Sequence, residues 1–347
     1  MKKTSKILSV ILASALALSV TGCSSKPAET TAAATTAEKT AAETTAKATE
    51  AAGGDTYKIG VLQLVQHSAL DQSNAGFIAA LDEAGINYEV DQQNASGEQA
   101  NCLTIAEKLV NDQNDLILAI ATPAAQAVAG VTEEIPILVT AVTDPAQSGL
   151  CNDNANPGVN VSGTSDLTPV KEQIDLLHTL LPDAKTVGLL YCSAESNSEI
   201  QIDMAKEALD ALGIGYEEYT VPGMNDIQTV VESMVGKVDA IYSPTDNTIA
   251  AGMSTVAMVA NDNGIPCIVG ESGMVKEGGL ATYAIDYFQL GYMAGEQAIE
   301  ILTNGADVST MPIGYLPADR CELTVNKTTA ETLGVDISVL ENAVIVE

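Results

Sequence analysis

From residue 57 onward the chain alternates short apolar runs with amphipathic segments. Runs at 57–64, 87–92, 115–121 and 135–141 read as strands, and segments 72–84, 98–111 and 122–129, apolar at helical spacing, read as the helices between them. Near-continuous apolar strands separated by helices predict a parallel sheet covered on both faces. The alternation then starts again. Strands are expected at 186–191, 216–221, 239–243 and 266–270, with helices from about Asn197, Asn225 and Asp246. A further strand at 280–286 leads into a helix at 288–303. After Pro312 and Pro317 only a short strand at 323–326 is legible.

The second series is a copy of the first. KIGVLQL and AALDEAGINYE reappear as TVGLLYC and EALDALGIGYE, aligned without a gap from Gly60 against Gly188 to Glu89 against Glu217. DLILAIATPAAQ is answered by DAIYSPTDNTIA, and EEIPILVTA by NGIPCIVGE. The period is far too long for a solenoid and means two copies of one domain. Gly85 and Gly213 stand where each copy's first helix should end, as left-handed caps. The fold expected is α/β: two similar doubly wound parallel-sheet lobes joined by a multi-strand hinge. Because one strand-helix unit follows the two copies, the chain is expected to cross back near Asp286. The first lobe then comprises 56–165 and about 286–311, and the second 166–285 and about 312–347.

Residues ahead of the first strand are of another kind. Lys2, Lys3 and Lys6, an apolar run at 7–20 and Thr21-Gly22 form an export signal ending at Cys23. The run is short for a membrane span. Residues 24–55 collapse to Ala, Thr, Glu, Lys and Ser, too poor in apolar surface to pack, and read as a disordered tether.

Composition mainly excludes. A net charge of -31 over 347 residues argues against a nucleic-acid partner, which needs clustered Lys and Arg. The absence of Trp counts against a sugar cleft of stacked indoles. Besides Cys23, the cysteines Cys102, Cys151, Cys192, Cys267 and Cys321 form an odd set at scattered spacings, unlike a disulfide framework or metal site. Cys192 and Cys267, read as ending strands, are expected to be buried and apolar in character.

In open parallel sheets ligands bind beyond the carboxyl ends of the strands. The first copy offers there Gln66-His67-Ser68, then Thr122 to Gln126, then Thr143-Asp144. The second offers Glu195-Ser196-Asn197-Ser198, then Thr245-Asp246-Asn247, then Glu271-Ser272-Gly273. Between the copies stand residues 162–166 and Asp286-Tyr287. Hydroxyls and free N–H groups at helix starts suit a carboxylate, and Asp and Glu suit an ammonium, so a small zwitterion fits. Capping alone explains Ser196, Asn197, Thr122 or Asp246 taken singly. Polar groups after strand upon strand in both copies favour a ligand. Lone His67 and His178 read as structural or solvated. No nucleophile elbow, metal-ligand spacing or phosphate loop is present, so neither catalysis nor a cofactor or metal is expected. Glu195 and Asp246 as paired carboxylates are the one enzymatic alternative.

These residues also carry a family resemblance. TPAAQ, IPILVTAVTDPAQSGL, NVSGTSDLTP, GLLYCSAESNS, VDAIYSPTDN and GGLATYAIDYFQLGYMAGEQA together resemble the substrate-binding lipoproteins of ABC transporters, in the tryptophan/tyrosine-type group with the periplasmic-binding-protein type I fold. Val20-Thr21-Gly22-Cys23 likewise resembles the bacterial lipobox. The resemblance implies a monomeric receptor, lipid-anchored through Cys23 to the outer face of the cytoplasmic membrane. It would close on a small ligand, an aromatic amino acid, and deliver it to a permease driven by a cytoplasmic ATPase. Contacts would come from Gln66, Ser68, Thr122, Thr143, Asp144, Asp166, Glu195, Ser196, Asn197, Ser198, Asp246, Asn247 and Asp286. Among these, 196–198 would receive the carboxylate and Asp246 or Asp286 the ammonium, while Leu64, Val65 and Leu70 line the apolar end. The alternative on the same fold is a surface sensor, or a receptor for a signalling molecule or nucleoside.

Overall fold

The computed structural model describes residues 56–317 and 320–347. The expected export signal, lipid-bearing Cys23 and tether lie outside them. The first sheet joins β1 (Tyr57–Gln63), β2 (Tyr88–Asn94), β3 (Leu116–Ile120), β4 (Ile137–Val142) and β5 (Val161–Ser165) in the order β2-β1-β3-β4-β5, all parallel. It is wrapped by α1 (Ser68–Ala84), α2 (Gln99–Asn111) and α3 (Thr122–Ala129). Leu116 to Ile120 are buried without exception, as a strand covered on both faces requires.

After α4 (Val170–Leu180), which carries His178, comes the second copy: β6 (Thr186–Cys192), α5 (Ser196–Leu212), β7 (Gly215–Val221), α6 (Ile227–Met234), β8 (Ala240–Ser243), α7 (Asn247–Ala251), α8 (Met253–Asp262), β9 (Cys267–Val269), α9 (Ser272–Lys276) and β10 (Ala281–Ala284). Two later strands, β11 (Glu322–Asn326) and β12 (Val344–Val346), extend this sheet to β12-β11-β10-β9-β8-β6-β7. β11 runs antiparallel to β10 and is the exception to parallel pairing.

The two copies agree closely. α1 and α5 are each 17 residues long, and Gly85 and Gly213 end them in the left-handed region at φ 68° and 70°. The strands differ: Ile59 pairs with Val90, whereas its counterpart Val187 pairs with Tyr216, not Glu218. A slip of two residues is tolerated because it keeps each side chain on its face.

After both copies comes α10 (Tyr287–Asn304), whose Tyr287, Leu290, Ala294 and Ala298 belong to the first sheet's core. The chain therefore passes between the sheets after β5, after β10, and again beyond Pro312, where Ser165 N–H donates to Gly314 O and Gly314 N–H to Gly163 O. Three differences from the sequence reading have local causes. β5, VSGTS, lacks the apolar run that marks a strand; its hydroxyls are satisfied at long range, Ser162 on Met311 O and Thr164 on Thr140. The helix expected from Asp246 breaks at Gly252 into α7 and α8, because Ile227 of α6 fills the space a Cβ would need, 2.3 Å away. Cys192 and Cys267 are buried, but Cys267 opens β9 instead of ending a strand. All five cysteines of the described residues are free thiols.

Candidate ligand-binding site

The carboxyl ends of both sheets face one cleft, and the two lobes touch across it. Gln99 Nε2 donates to Ala194 O (2.8 Å), Gln126 Nε2 to Ser196 Oγ (3.3 Å) and Gln201 Nε2 to Thr143 Oγ1 (3.3 Å). His67 Nε2 meets Asn247 Oδ1 at 3.2 Å. Nearer the crossings, the Tyr287 hydroxyl donates to Asp166 Oδ2 at 2.9 Å.

Two spaces remain. One is a narrow, partly open cavity of about 10 Å³ walled by His67, Ala69, Leu70, Asp166, Thr245, Asp246, Asn247, Ala250, Glu271 and Tyr287. The other is a groove at the mouth of the cleft, with Leu64, Val65, Gly97 and Pro123 on one lobe and Cys192, Glu195, Met224 and Thr248 on the other.

Asp166, Glu195, Asp246 and Glu271 are all buried at or beside the cavity. Glu195 accepts Asn247 N–H (3.1 Å) and its amide (2.6 Å) on one oxygen, and the Thr248 N–H and hydroxyl (both 2.8 Å) on the other. Asp246 accepts Cys192 N–H (2.6 Å), the Ser198 hydroxyl (2.7 Å) and, capping α7, Ile249 N–H (2.8 Å). Glu271 caps α9 by accepting Gly273 and Met274 N–H. Asp166 accepts the Tyr287 hydroxyl on Oδ2, the Thr143 hydroxyl stands near the same carboxyl, and Oδ1 is buried with no partner in hydrogen-bond geometry. Among the described residues the ion pairs, such as Lys206 with Glu218, involve none of the four.

Burial pushes the Asp166 carboxyl up to about 6, with the Tyr287 bond opposing and the Glu195 charge adding. Burial, then the Glu195 charge, raises Asp246 as well, against its own hydrogen bonds. Tyr287 is raised far above its usual range by burial and by Asp166 and Glu271.

The helix starts divide into two sets. α7, α9 and α10 are capped by Asp246, Glu271 and Asp286. α1, α3 and α5 receive no side-chain cap, Glu195 having turned from α5 to α7. Their first-turn N–H groups keep the positive end of the helix dipole.

Of the residues singled out in the sequence, Asp166, Asp246 and Asn247 line the cavity and Glu195 adjoins it. Asn197 Nδ2 donates to Thr245 O and the Ser198 hydroxyl to Asp246 within their own lobe, while the buried Asn197 Oδ1 has no partner. Ser196 takes an inter-lobe bond. Thr122 and Thr143 are buried, the latter on Gln201. Gln66 and Ser68 are exposed along an outer groove beside Lys276. Two more lie apart from the cavity. Asp144 folds into its own loop, accepting Gln147 N–H and the Asn154 amide. Asp286 is exposed and caps Gln289 N–H (3.0 Å), which removes it as the ammonium partner in this cavity. Leu70 lies in the cavity, and Leu64 and Val65 in the mouth groove. Glu271, Thr245 and Tyr287, offered at these loops but not among the expected contacts, wall the cavity, and the fully buried Gln201, not singled out, donates to Thr245 Oγ1 at 2.6 Å. Glu271 and Thr245 did carry a signal, since each follows a second-copy strand; Gln201, inside α5, carried none. Among the described residues no cluster of side chains suits a metal ion, and no helix is long and apolar enough to cross a membrane.

The family described as ABC transporter substrate binding protein matches residues 58–346. A tyrosine-binding protein of Clostridioides difficile (strain R20291) is 40% identical over 341 residues, 96% of this chain and 93% of that one. An ABC domain from Streptococcus pneumonia, solved with L-Trp, superposes with a TM-score of 0.80 at 38% identity, covering 84% of this chain and 99% of the other. The ligand-free, open structure of CD0873, a substrate-binding protein with adhesive properties from Clostridium difficile, gives 0.64 at 42% identity over 84% and 99%.

Proposed function

This chain belongs to the ABC transporter substrate-binding proteins, and from that premise we propose that it is a lipid-anchored importer receptor that closes on an aromatic amino acid. Substrate-binding proteins of ABC importers work outside the cytoplasmic membrane. In this reading the lipid is carried by Cys23, the tether of 24–55 spans from membrane to receptor, and the lobes comprise 56–165 with about 286–311 and 166–285 with about 312–347. The receptor acts as a monomer, changes no bond in its ligand, and hands it to a permease with a cytoplasmic ATPase.

The observation that carries the reading is the division of charge around the cavity. The uncapped start of α1 on the first lobe offers N–H donors. Asp246 and Glu271 on the second offer negative charge, with no Lys or Arg in the cavity wall. A zwitterion between them meets a partner at each end, and only a ligand that touches both lobes favours the closed state. The aromatic side chain is supported by the relatives, whose names give tyrosine and L-Trp, and by Leu64, Val65, Leu70 and Pro123 along the cleft. Burying a ring of ~150–250 Å² contributes about 4–6 kcal/mol before association costs, more than the charged contacts yield net. The better superposition on the L-Trp complex than on the open, ligand-free relative supports reading the inter-lobe bonds as those of a closed state.

The test is calorimetric titration of protein unfolded and refolded to strip carried ligand, against each common amino acid. One-to-one binding of Tyr, Trp or Phe in preference to small residues is expected. Silence across the panel ends the amino-acid reading and moves the search to nucleosides and signalling molecules.

A further inference from the structure

A zwitterion needs a particular counter-charge for its amine, and the cavity's carboxylates are not equal in what they have left to offer. Glu195, Asp246 and Glu271 have both oxygens engaged by donors of their own lobe. Asp166 has the Tyr287 hydroxyl on Oδ2 with Thr143 beside it, and Oδ1 is buried and unpartnered at the cavity wall. A buried acceptor left without a donor is costly, and native structures rarely keep one without use. Its place in the chain is equally particular. Asp166 directly follows β5, where the chain leaves the first sheet, and Tyr287 opens α10, where the chain returns. Their hydrogen bond therefore joins two of the crossings between lobes.

We propose that Asp166 is the counter-charge for a primary ammonium on the ligand, and that in the closed, empty receptor its carboxyl takes up a proton at mildly acidic pH which that ammonium displaces. This deepens the reading above and rests on it for where the ligand enters. The balance is simple: the amine arrives as ammonium, the Asp166 carboxyl releases one proton to solvent, and a carboxylate–ammonium pair replaces a buried carboxylic acid. The titratable groups facing Asp166 are Tyr287 from α10, Glu195 from the turn before α5, Asp246 before α7, Glu271 before α9 and His67 before α1. All but His67 and the neutral Tyr287 are acids, so the surroundings oppose a second negative charge and favour the proton until a cation arrives. The carboxyl's position near 6 places the exchange within reach of ordinary buffers. Two consequences separate this from mere packing. Affinity for an amine falls as pH drops below about 6, approaching tenfold per unit, and the site discriminates against ligands whose amine is replaced by hydroxyl.

The experiment titrates the ligand-stripped full chain with L-tyrosine and L-tryptophan at about pH 5.5 and about pH 8. Two buffers of different ionisation enthalpy are used, with the 2-hydroxy acid analogues of both amino acids and tyramine alongside. Expected is proton release on binding at the lower pH, seen as a buffer-dependent heat, and none at the higher. Asp166→Asn abolishes that dependence and weakens L-tyrosine tenfold or more at pH 8, leaving the 2-hydroxy acid unchanged or tighter. Tyr287→Phe keeps the carboxyl but removes its tyrosine donor, so proton release persists to higher pH; this readout holds even should Asp166→Asn fold poorly. A buffer dependence that survives Asp166→Asn, an undiminished preference for amine over hydroxyl in that variant, or wild-type preference for the hydroxy acids overturns the proposal. Capture of tyramine with silence toward amino acids sustains the role of Asp166 while ending the amino-acid reading.

Discussion

A carboxyl kept for a ligand should weigh on the receptor while that ligand is away, and Asp166 allows the burden to be worked out. It is 4% exposed, and its pKa moves from an ordinary 3.8 to about 6 in the folded protein. At about 1.4 kcal/mol per unit, a shift of roughly two units amounts to about 3 kcal/mol. The sign follows from the direction. A carboxyl whose folded pKa is raised leaves stability intact below the unfolded value and withdraws it as pH rises through the folded one. Ionisation of Asp166 should therefore cost the empty protein about 3 kcal/mol between about pH 4 and pH 7. Asp166→Asn keeps an oxygen for the Tyr287 hydroxyl and never ionises. Any cost of placing its new amide is the same at every pH. Urea unfolding of ligand-free wild type and variant across this range should show the variant gaining about 3 kcal/mol relative to wild type from low to high pH. Titrations elsewhere, including Asp246, cancel to first order in the difference. A pH-independent difference, or a variant that loses ground as pH rises, refutes the reasoning.

Other residues give sharper structural outcomes. Asp286→Ala should lower stability by about 1 kcal/mol through loss of the α10 cap while leaving ligand affinity within about twofold; a tenfold loss in calorimetry returns Asp286 to the site. Glu195→Ala strands the donors of Asn247 and Thr248, so urea unfolding should register a loss of about 2–4 kcal/mol, and wild-type stability would show that the four bonds contribute little. At Gly163, φ is 135° and a Cβ would lie 2.0 Å from Val139 O; Gly163→Ala should therefore cost about 3 kcal/mol or more, read from the denaturation midpoint. Replacing Gln99 and Gln126 together by Ala removes two bonds at the cleft rim, each contributing about 0.5–1.5 kcal/mol. The ligand-free variant should give a larger radius of gyration by X-ray scattering, and an unchanged radius would deny those bonds a part in closure.

Much of the architecture was legible because it was written twice. The same LDxxGIxYE ending yields helices of equal length, both terminated by a left-handed glycine. What escaped was whatever depended on distant partners. Residues 162–166 read as a polar stretch between the copies, yet 161–165 form a buried strand because Thr140 and Met311 satisfy its hydroxyls. The candidate site divides the same way. That polar loops gather beyond the strand ends can be read from spacing alone. Which loop keeps an unspent lone pair cannot, because Asp166, Asp246 and Asp286 all look like helix-start acids. Asp286 spends its oxygen on α10 in solvent, and Asp246 spends both on its own lobe. Asp166 keeps one because β5, α10 and the second lobe's loops together bury it.

The placement of α10 bears on the chain's birth. The first sheet's core includes Tyr287, Leu290, Ala294 and Ala298, contributed more than 120 residues after β5 has been made. A protein threaded through an export channel from its amino end thus delivers the first lobe unfinished and supplies the missing helix only after nearly all of the second. Contacts so far apart in sequence form late and slowly. The early-emerging half must wait with an apolar face uncovered, in the form most open to proteases and to binding by chaperones. Truncation near residue 286 should therefore cost two lobes, not one.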